Sequence, residues 1–254
     1  MSDTFSTIHT IDQVITALDE IIENSVKDES PLGYFAALYR KVTISVKEGI
    51  ANGDFEDGPR MEKLDVIFAT RYIDAYHAYQ QNGQTTQSWS MAFALSESYW
   101  PVVLQHLLIG MNAHINLDLG IAAAEVMKGK DINDLKNDFN HINTVLADLV
   151  EGMENDLSEI WPTFKKILKW AKGVNTFLVN FGMREARDGA WKFAVALSNE
   201  SPKNMQKAIK DRDASVEKTA ELITSPGWIP SLIFKLIRLA ERGSVAEKIN
   251  DLKD

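Results

Sequence analysis

The sequence contains no cysteine among its 254 residues. The chain therefore cannot form disulfide bonds, use a thiolate as a nucleophile, or hold zinc or an iron–sulfur cluster through cysteine sulfur. Any metal site must use histidine, aspartate, glutamate or backbone oxygen ligands. Five histidines and 36 acidic residues are available for such a site.

Several well-known catalytic motifs are also missing. The chain has no GxxxxGK[ST] phosphate loop, GxGxxG dinucleotide loop, HExxH zinc motif or GxSxG nucleophile elbow. The Glu-x-x-His pairs of ferritin-like di-iron bundles are absent as well. These absences argue against all of those sites.

An excess of basic residues is lacking too. The formal net charge is −9 and the sequence pI is about 5.1, which disfavours nucleic-acid binding because that function needs a basic surface. Residues 1–7 have neither the basic nor the apolar region of a signal peptide. The longest apolar run carries an aspartate and two histidines, which is unusual for a transmembrane segment. We therefore expect a cytoplasmic protein with no membrane span.

Helical periodicity dominates what is present. Apolar residues recur at spacings of three and four through most of the chain, whereas the alternation typical of strands is scarce. No internal repeat, low-complexity tract or long linker divides the sequence. The pattern predicts an all-α fold, with one domain over residues 1–254, a core over about 11–242, and about ten helices.

One predicted helix, over about 101–127, is apolar almost all the way round and should be buried on every side. Its polar residues nevertheless lie along two stripes. One stripe contains His106, Gly110, His114 and Asp118, and the other, nearly opposite, contains Gln105, Asn112 and Asn116. Buried polar groups destabilise a fold unless they are paired. We interpret the stripe of His and Asp as the lining of a site.

The spacing of His114 and Asp118 suggests a metal ligand pair. At i and i+4 the two Cβ atoms are about 5–6 Å apart on one helix face, which suits two ligands of one zinc or iron ion. His106 would hold the metal together with this pair, and Asp65 or Asp138, with His141, would complete the site. Each pair also has an interpretation without a metal. His114 and Asp118 could form a structural hydrogen bond in the core, and Asp138 and His141 could lie on a solvated face.

Three further residues are candidates for catalytic roles. Asp65 lies on the aromatic inner face of a helix predicted over 60–81, where its pKa would be raised unless it were paired. It could be a metal ligand, a general base or the partner of a buried arginine. Arg184 and Arg187, on a helix predicted over 174–199, could bind an anionic group of a substrate. Their alternative role is to form ion pairs with Asp65 or Asp118.

The segment 228–242 mixes aromatic, aliphatic and basic residues. Such a composition is compatible with contact to a membrane surface. The alternatives are a docked core helix and a contact between two copies of the chain.

The run Gly110-Met-Asn-Ala-His-Ile-Asn-Leu-Asp-Leu119 resembles the hallmark of a bacterial all-helical family of unknown function. Members of that family also tend to carry an Arg-Tyr element such as Arg71-Tyr72. The resemblance would cover about residues 30–240 and implies a helical fold without a mechanism. A looser similarity links His114-x3-Asp118 to zinc hydrolases of the phospholipase C and P1 nuclease type, although their N-terminal Trp ligand and His-x3-Glu pair are missing here.

Two functional hypotheses follow. In the first, the protein is a metal-dependent hydrolase whose metal lowers the pKa of a bound water, and whose arginines bind a small-molecule or anionic substrate. In the second, it is a non-catalytic helical module that binds an apolar ligand or a partner, and its buried polar residues are structural. The first predicts that the polar side chains converge on one pocket, and the second that they pair off locally.

Overall fold

The computed structural model describes residues 8–142, 183–225 and 227–253 of the chain. These residues form ten α-helices and contain no strand, so the all-α prediction is confirmed. The helices are α1 (Ile11–Lys27), α2 (Gly33–Asn52), α3 (Gly58–Gln80), α4 (Gln87–Ala94), α5 (Val103–Ala113), α6 (Leu119–Val126), α7 (Met183–Ser198), α8 (Pro202–Thr224), α9 (Trp228–Ala240) and α10 (Val245–Lys253).

The predicted central helix is present as one continuous element, Val103–Val126, which we call the central helix. It consists of α5, a π-helical turn over His114–Asp118, and α6. Within the described ranges it is the one helix long and apolar enough to span a membrane by length and composition. However, 94% of its most apolar window is buried inside the fold, as in the core helix of a globular protein.

The other helices surround the central helix. Its first half packs against α2, α4 and α8, and its second half packs against α3 and α7. Helix α1 packs on α2 and α3, and α10 packs on α1 and α2. Most buried apolar side chains belong to one continuous cluster around this helix. A polar group on the central helix therefore has little access to water.

Local sequence accounts for where several helices begin. Thr10 accepts a hydrogen bond from the backbone N–H of Gln13, and the Gln13 side chain accepts one from Thr10, which is a capping box for α1. Asp57 caps α3, with Pro59 in its first turn, and Thr86 caps α4. These caps satisfy backbone N–H groups that have no partner within their own helix.

The starts of α4 and of the central helix also receive carboxylates from distant parts of the chain. Asp213 of α8 accepts hydrogen bonds from the backbone N–H groups of Gln87 and Ser88 at 2.7 and 3.0 Å. Glu241 accepts one from the N–H of Val103, the first residue of the central helix, at 2.9 Å. A negative charge at a helix N-terminus also interacts favourably with the helix dipole. These carboxylates therefore tie α8 to the start of α4, and the residue after α9 to the start of the central helix.

The stripe of amides on the central helix attaches α8. Gln105 Nε2 donates to the carbonyl oxygen of Ile223, and Asn112 Nδ2 donates to that of Val216, each at 2.9 Å. The first of these carbonyls lies in the last turn of α8, where the helix itself supplies no donor. This stripe is therefore structural.

Two glycines allow neighbouring helices to approach the central helix closely. A Cβ at Gly110 would lie 2.6 Å from ring atoms of Phe35 in α2. A Cβ at Gly120 would lie 2.8 Å from Phe193 and 2.9 Å from the backbone oxygen of Ala190, both in α7. A larger residue at either position would force a shift of the packing.

Candidate functional site

The π-helical turn His114–Asp118 lies in the middle of the central helix and within the sequence motif described above. Turns of this kind are rare, mostly occur as single turns inside α-helices, and are frequent at functional sites. Of its five residues, Asn116 alone is not buried. The turn brings His114 and Asp118 to the side that faces α3 and α4.

Asp118 is held by two partners that the sequence did not assign to it. Its Oδ1 accepts a hydrogen bond from Arg71 Nε and its Oδ2 one from Trp89 Nε1, both at 2.7 Å. The side chain of Asp118 is 1% exposed, and that of Arg71 is 28% exposed. The nearest nitrogen of His114, Nδ1, is 3.7 Å from Oδ2, beyond hydrogen-bonding distance. Asp118 therefore has a charged partner and a neutral donor in the fold itself.

His114 lies among aromatic rings. Its ring is stacked on Phe68, with centroids 3.5 Å apart, and the edge of Tyr39 approaches it at 4.3 Å. Within the described part of the chain, neither of its ring nitrogens has a hydrogen-bond partner. Burial lowers the pKa of His114, and the charge of Arg71 lowers it further, while Asp118 opposes the shift. The imidazole is therefore neutral at physiological pH.

Three more buried polar groups without partners lie near His114. They are Tyr39 Oη, Tyr72 Oη and Asp65 Oδ2. Both tyrosine rings contact the His114 ring, and Asp65 is close enough to Tyr39 for its charge to raise the tyrosine pKa, an effect second to that of burial. We refer to Tyr39, Asp65, Tyr72 and His114 as the His114 cluster.

Asp65 is buried in this cluster, as the sequence predicted, being 6% exposed. Burial raises the pKa of its carboxyl to about 8, and the nearby charge of Glu62 contributes to the shift. Among the residues that the structure describes, Asp65 Oδ2 has no hydrogen-bond partner. Asp65 is consequently protonated at neutral pH and can donate a hydrogen bond.

A small cavity adjoins the cluster. Its volume is about 20 Å³, room for about one water molecule. The residues around it are Pro31, Leu32, Phe35, Tyr72, Trp89, Ala92, Phe93, His106 and Gly110. Phe35, Tyr72 and Trp89 line this cavity and also contact the His114 ring. Tyr72 therefore belongs to both the cavity and the cluster, and Phe35 and Trp89 contact both.

His106 belongs to the cavity and not to the His114 cluster. Its ring meets Tyr34 edge-on at 5.6 Å. Burial lowers the pKa of His106 to about 3, and the positive charges of Arg238 and Lys248 add to this effect. The two histidines are eight residues apart on a helix, which separates them by about 12 Å along its axis.

Asp138 and His141 lie at a different place in the fold. The Asp138 carboxylate accepts hydrogen bonds from the backbone N–H groups of Glu56 and Asp57, at 2.7 and 3.2 Å, and from Arg60 Nη2 at 2.7 Å. It thereby anchors the loop that precedes α3. The ring of His141 packs edge-on against Phe55 at 5.4 Å.

The two arginines predicted to bind an anion lie on α7. Arg187 is 4% exposed, donates from Nη2 to the backbone oxygen of Phe139 at 2.7 Å, and lies over that residue's ring. Burial lowers the pKa of Arg187 to about 10. Arg187 thus binds the segment 132–142 and neither Asp65 nor Asp118, while the side chain of Arg184 lies outside the described part of the chain.

The five predicted metal ligands do not converge. Asp118 is bonded to Arg71 and Trp89, Asp138 to the loop before α3, and His106 and His114 lie in separate surroundings. Within residues 8–142, 183–225 and 227–253, no group of three or more His, Asp or Glu side chains is placed to hold a metal ion. The metal site stays a prediction.

Sequence reasoning missed the partners of Asp118 and the role of the tyrosines. Helical spacing did not indicate that Arg71 pairs with Asp118, but its long side chain reaches from α3 to that carboxylate. The Arg71-Tyr72 element was a usable signal, since both residues belong to this site. Nothing in the local sequence of Trp89 or Tyr39 marks them as neighbours of the motif.

No curated protein and no solved structure matches the chain. Residues 11–226 match the model of the family described as "Family of unknown function (DUF5995)". Because this match covers most of the chain, the protein belongs to DUF5995, a family of unknown function.

Proposed function

We propose that this protein is a helical ligand-binding module, and that its ligand contacts the His114 cluster next to the small cavity. The observation that carries this proposal is the gathering of five buried polar atoms without partners, which are Nδ1 and Nε2 of His114, Oη of Tyr39, Oη of Tyr72 and Oδ2 of Asp65. More than about 90% of buried polar groups in proteins are paired. A ligand that supplied the missing partners would remove a cost of about 1–3 kcal/mol for each group it satisfied.

The pairing of the other polar side chains supports this function over a hydrolase. Asp118, Asp138, Gln105, Asn112 and Arg187 each bond to a nearby part of the fold. They therefore contribute to docking of the helices. Nine buried side-chain atoms of the described residues lack a hydrogen-bond partner, and five of them belong to the His114 cluster. The other four are Ser25 Oγ, Arg60 Nε, Thr70 Oγ1 and Arg187 Nε, which lie on α1, α3 and α7.

The chemistry of the cluster suggests the class of ligand. The walls are aromatic, which favours a flat or apolar body. The tyrosine hydroxyls and the protonated Asp65 can donate hydrogen bonds, and the neutral imidazole of His114 can accept one. The ligand class is therefore a small uncharged molecule with an aromatic or apolar body and at least one hydroxyl, carbonyl or amide. Since the cavity holds about one water, binding must displace some of its side chains.

Fragment screening tests this proposal. Small phenols, aryl alcohols and benzamides would be screened by thermal shift and ligand-observed NMR against wild type, Tyr72→Phe and Tyr79→Phe. Tyr72→Phe removes an unpartnered hydroxyl from the cluster, whereas Tyr79→Phe removes a hydroxyl that already donates to Glu97 at 2.6 Å. We expect binders whose affinity falls about tenfold in Tyr72→Phe, since one hydrogen bond is lost. Affinity should be unchanged in Tyr79→Phe. The absence of binders, or equal responses of the two variants, would contradict the proposal.

A metal-dependent hydrolase is the second candidate, and one observation favours it. A neutral imidazole with free nitrogens, as in His114, is the form that binds zinc or iron. Asp65 Oδ2 is the carboxylate oxygen of the cluster that has no partner. When bound, a metal would supply a water of lowered pKa as nucleophile.

Elemental analysis separates the two candidates. Untagged wild type and His114→Ala would be compared, with circular dichroism as the control for folding. Near-stoichiometric zinc or iron in wild type that is lost in His114→Ala would favour the hydrolase. If neither protein holds metal after reconstitution, the hydrolase is ruled out and the ligand-binding proposal remains.

A further inference from the structure

One face of α9 is apolar and exposed. Four side chains form this face, which are Trp228, Leu232, Leu236 and Leu239, with 77%, 54%, 60% and 68% of their surface exposed. At about 100° per residue they fall within about 80° of the helix circumference. The other side of α9 buries Phe234 and Ile237 in the core. The helix is therefore apolar on both sides, and we call its exposed side the α9 face.

Two exposed aromatic residues lie beside the α9 face. Tyr99 and Trp100 are 65% and 47% exposed. Arg238 Nε donates to the backbone oxygen of Tyr99 at 2.8 Å, and Lys235 Nζ lies 5.4 Å from the centre of the Trp100 ring. These contacts hold both aromatic side chains next to α9. Tyrosine and tryptophan are the residues enriched where proteins meet the interface between lipid and water.

The charged residues of α9 itself are all basic. Helix α9 carries Lys235 and Arg238 and no acidic residue, and the exposed Arg242 follows it. Glu241, which lies between them, is turned inward with 1% of its side chain exposed, and it bonds to the N–H of Val103, to Lys248 and, at 2.9 Å, to Arg238 Nη1. The exposed basic residues are therefore Lys235 and Arg242. The surface of α9 is thus apolar with basic groups, although the whole chain has a net charge of −9.

We propose that the α9 face docks onto the surface of a bilayer that contains anionic phospholipids. The leucines and Trp228 would enter the boundary between headgroups and acyl chains, and the basic side chains would contact lipid phosphates. Charge complementarity favours this occupant over a second copy of the chain. In a two-fold dimer each patch meets itself, so Lys235 and Arg242 would face the same cations with no acidic residue on α9 to pair with them.

The proposal is tested by sedimentation with vesicles. The full chain would be mixed with vesicles of phosphatidylcholine alone or with added phosphatidylglycerol, at low and at high salt. Three variants would be compared with wild type, which are the double variant Leu232→Glu/Leu236→Glu, Lys235→Gln, and Lys207→Gln as the matched control. Lys207 is an exposed residue of α8 and lies outside the α9 face. Circular dichroism would check folding.

Wild type should bind the anionic vesicles. Binding should be weaker at high salt, because salt screens the attraction between the basic side chains and the lipid phosphates beyond about 10 Å or less. Lys235→Gln should weaken binding about fivefold, the effect of one basic residue near an anionic surface. The double variant should abolish binding, and Lys207→Gln should leave it unchanged.

Three results would overturn the proposal. The first is a lack of binding to either vesicle, and the second is an equal effect of Lys235→Gln and Lys207→Gln. The third is a dimer, seen by analytical ultracentrifugation, that the double variant dissociates. Lys235→Gln keeps the test valid if the double variant does not fold.

Discussion

Replacing Asp118 by asparagine should destabilise the fold strongly. The change keeps the size of the side chain but removes the negative charge that pairs with Arg71 and accepts a hydrogen bond from Trp89. Breaking a buried ion pair by removing one partner costs about 3–5 kcal/mol. Because the Arg71 side chain is 28% exposed and can regain some water, we expect the lower end of this range. Asp118→Asn should therefore lower the free energy of unfolding by about 3 kcal/mol.

Urea denaturation followed by circular dichroism measures this loss, and a double-mutant cycle assigns it to the pair. Arg71→Met should cost less in the Asp118→Asn background than in wild type, with a coupling of about 1 kcal/mol or more. Asp12→Asn serves as the control, since it breaks an exposed ion pair with Lys47 and should change stability by about 0.5 kcal/mol at most. If Asp118→Asn costs no more than this control, or if the coupling is near zero, the assignment of Asp118 to the fold is wrong.

Three further predictions concern other parts of the site and its support. Burial raises the pKa of Asp65 from 3.8 to about 8. The stability that comes from keeping this carboxyl protonated in the fold is therefore fully present below pH 4 and is lost as the pH rises toward 8. Asp65→Asn should remove this dependence on pH. The free energy of unfolding of the variant minus that of wild type, measured by urea denaturation, should therefore rise by about 3 kcal/mol between pH 5 and pH 8. A difference that stays constant with pH would show that Asp65 is not buried as a neutral acid. Gly120→Ala should lower the free energy of unfolding by about 1–3 kcal/mol, because the new methyl group would overlap Phe193; an unchanged urea midpoint would contradict this packing. Asp138→Asn should destabilise the protein by about 3 kcal/mol, because the ion pair with Arg60 is lost. The metal content, measured by elemental analysis, should not change. A loss of metal together with unchanged stability would instead identify Asp138 as a metal ligand.

The sequence predicted the central helix well because its signal is local. A run of apolar residues of this length fixes both the helix and its burial, and the structure places it at Val103–Val126 against the predicted 101–127. The inner position of Asp65 was predicted for the same reason, since helical spacing puts it on the aromatic face of α3. The π-helical turn was not predicted. Such a turn shifts the phase of the residues that follow it, but a helix that is apolar almost all the way round shows no such shift in its hydrophobic pattern.

The pairing of the polar residues could not be predicted in this way. Asp118 could have bonded to His114, to Arg187 or to a metal, and spacing along the helix favoured His114. The structure gives it Arg71 and Trp89 instead, which are 47 and 29 residues away in sequence. The choice depends on how α3 and α4 pack against the central helix, and no local pattern contains that information.

The sequence by itself therefore determined the class of fold, the central helix and the burial of its polar stripes. Tertiary structure alone decided which of those polar groups are satisfied by the protein and which are not. Helix formation and burial follow from residue spacing over a few turns. Hydrogen bonds and ion pairs depend instead on distances of about 3 Å between elements that are far apart in the chain. That the five polar atoms of the His114 cluster lack partners is therefore a result of how the helices dock.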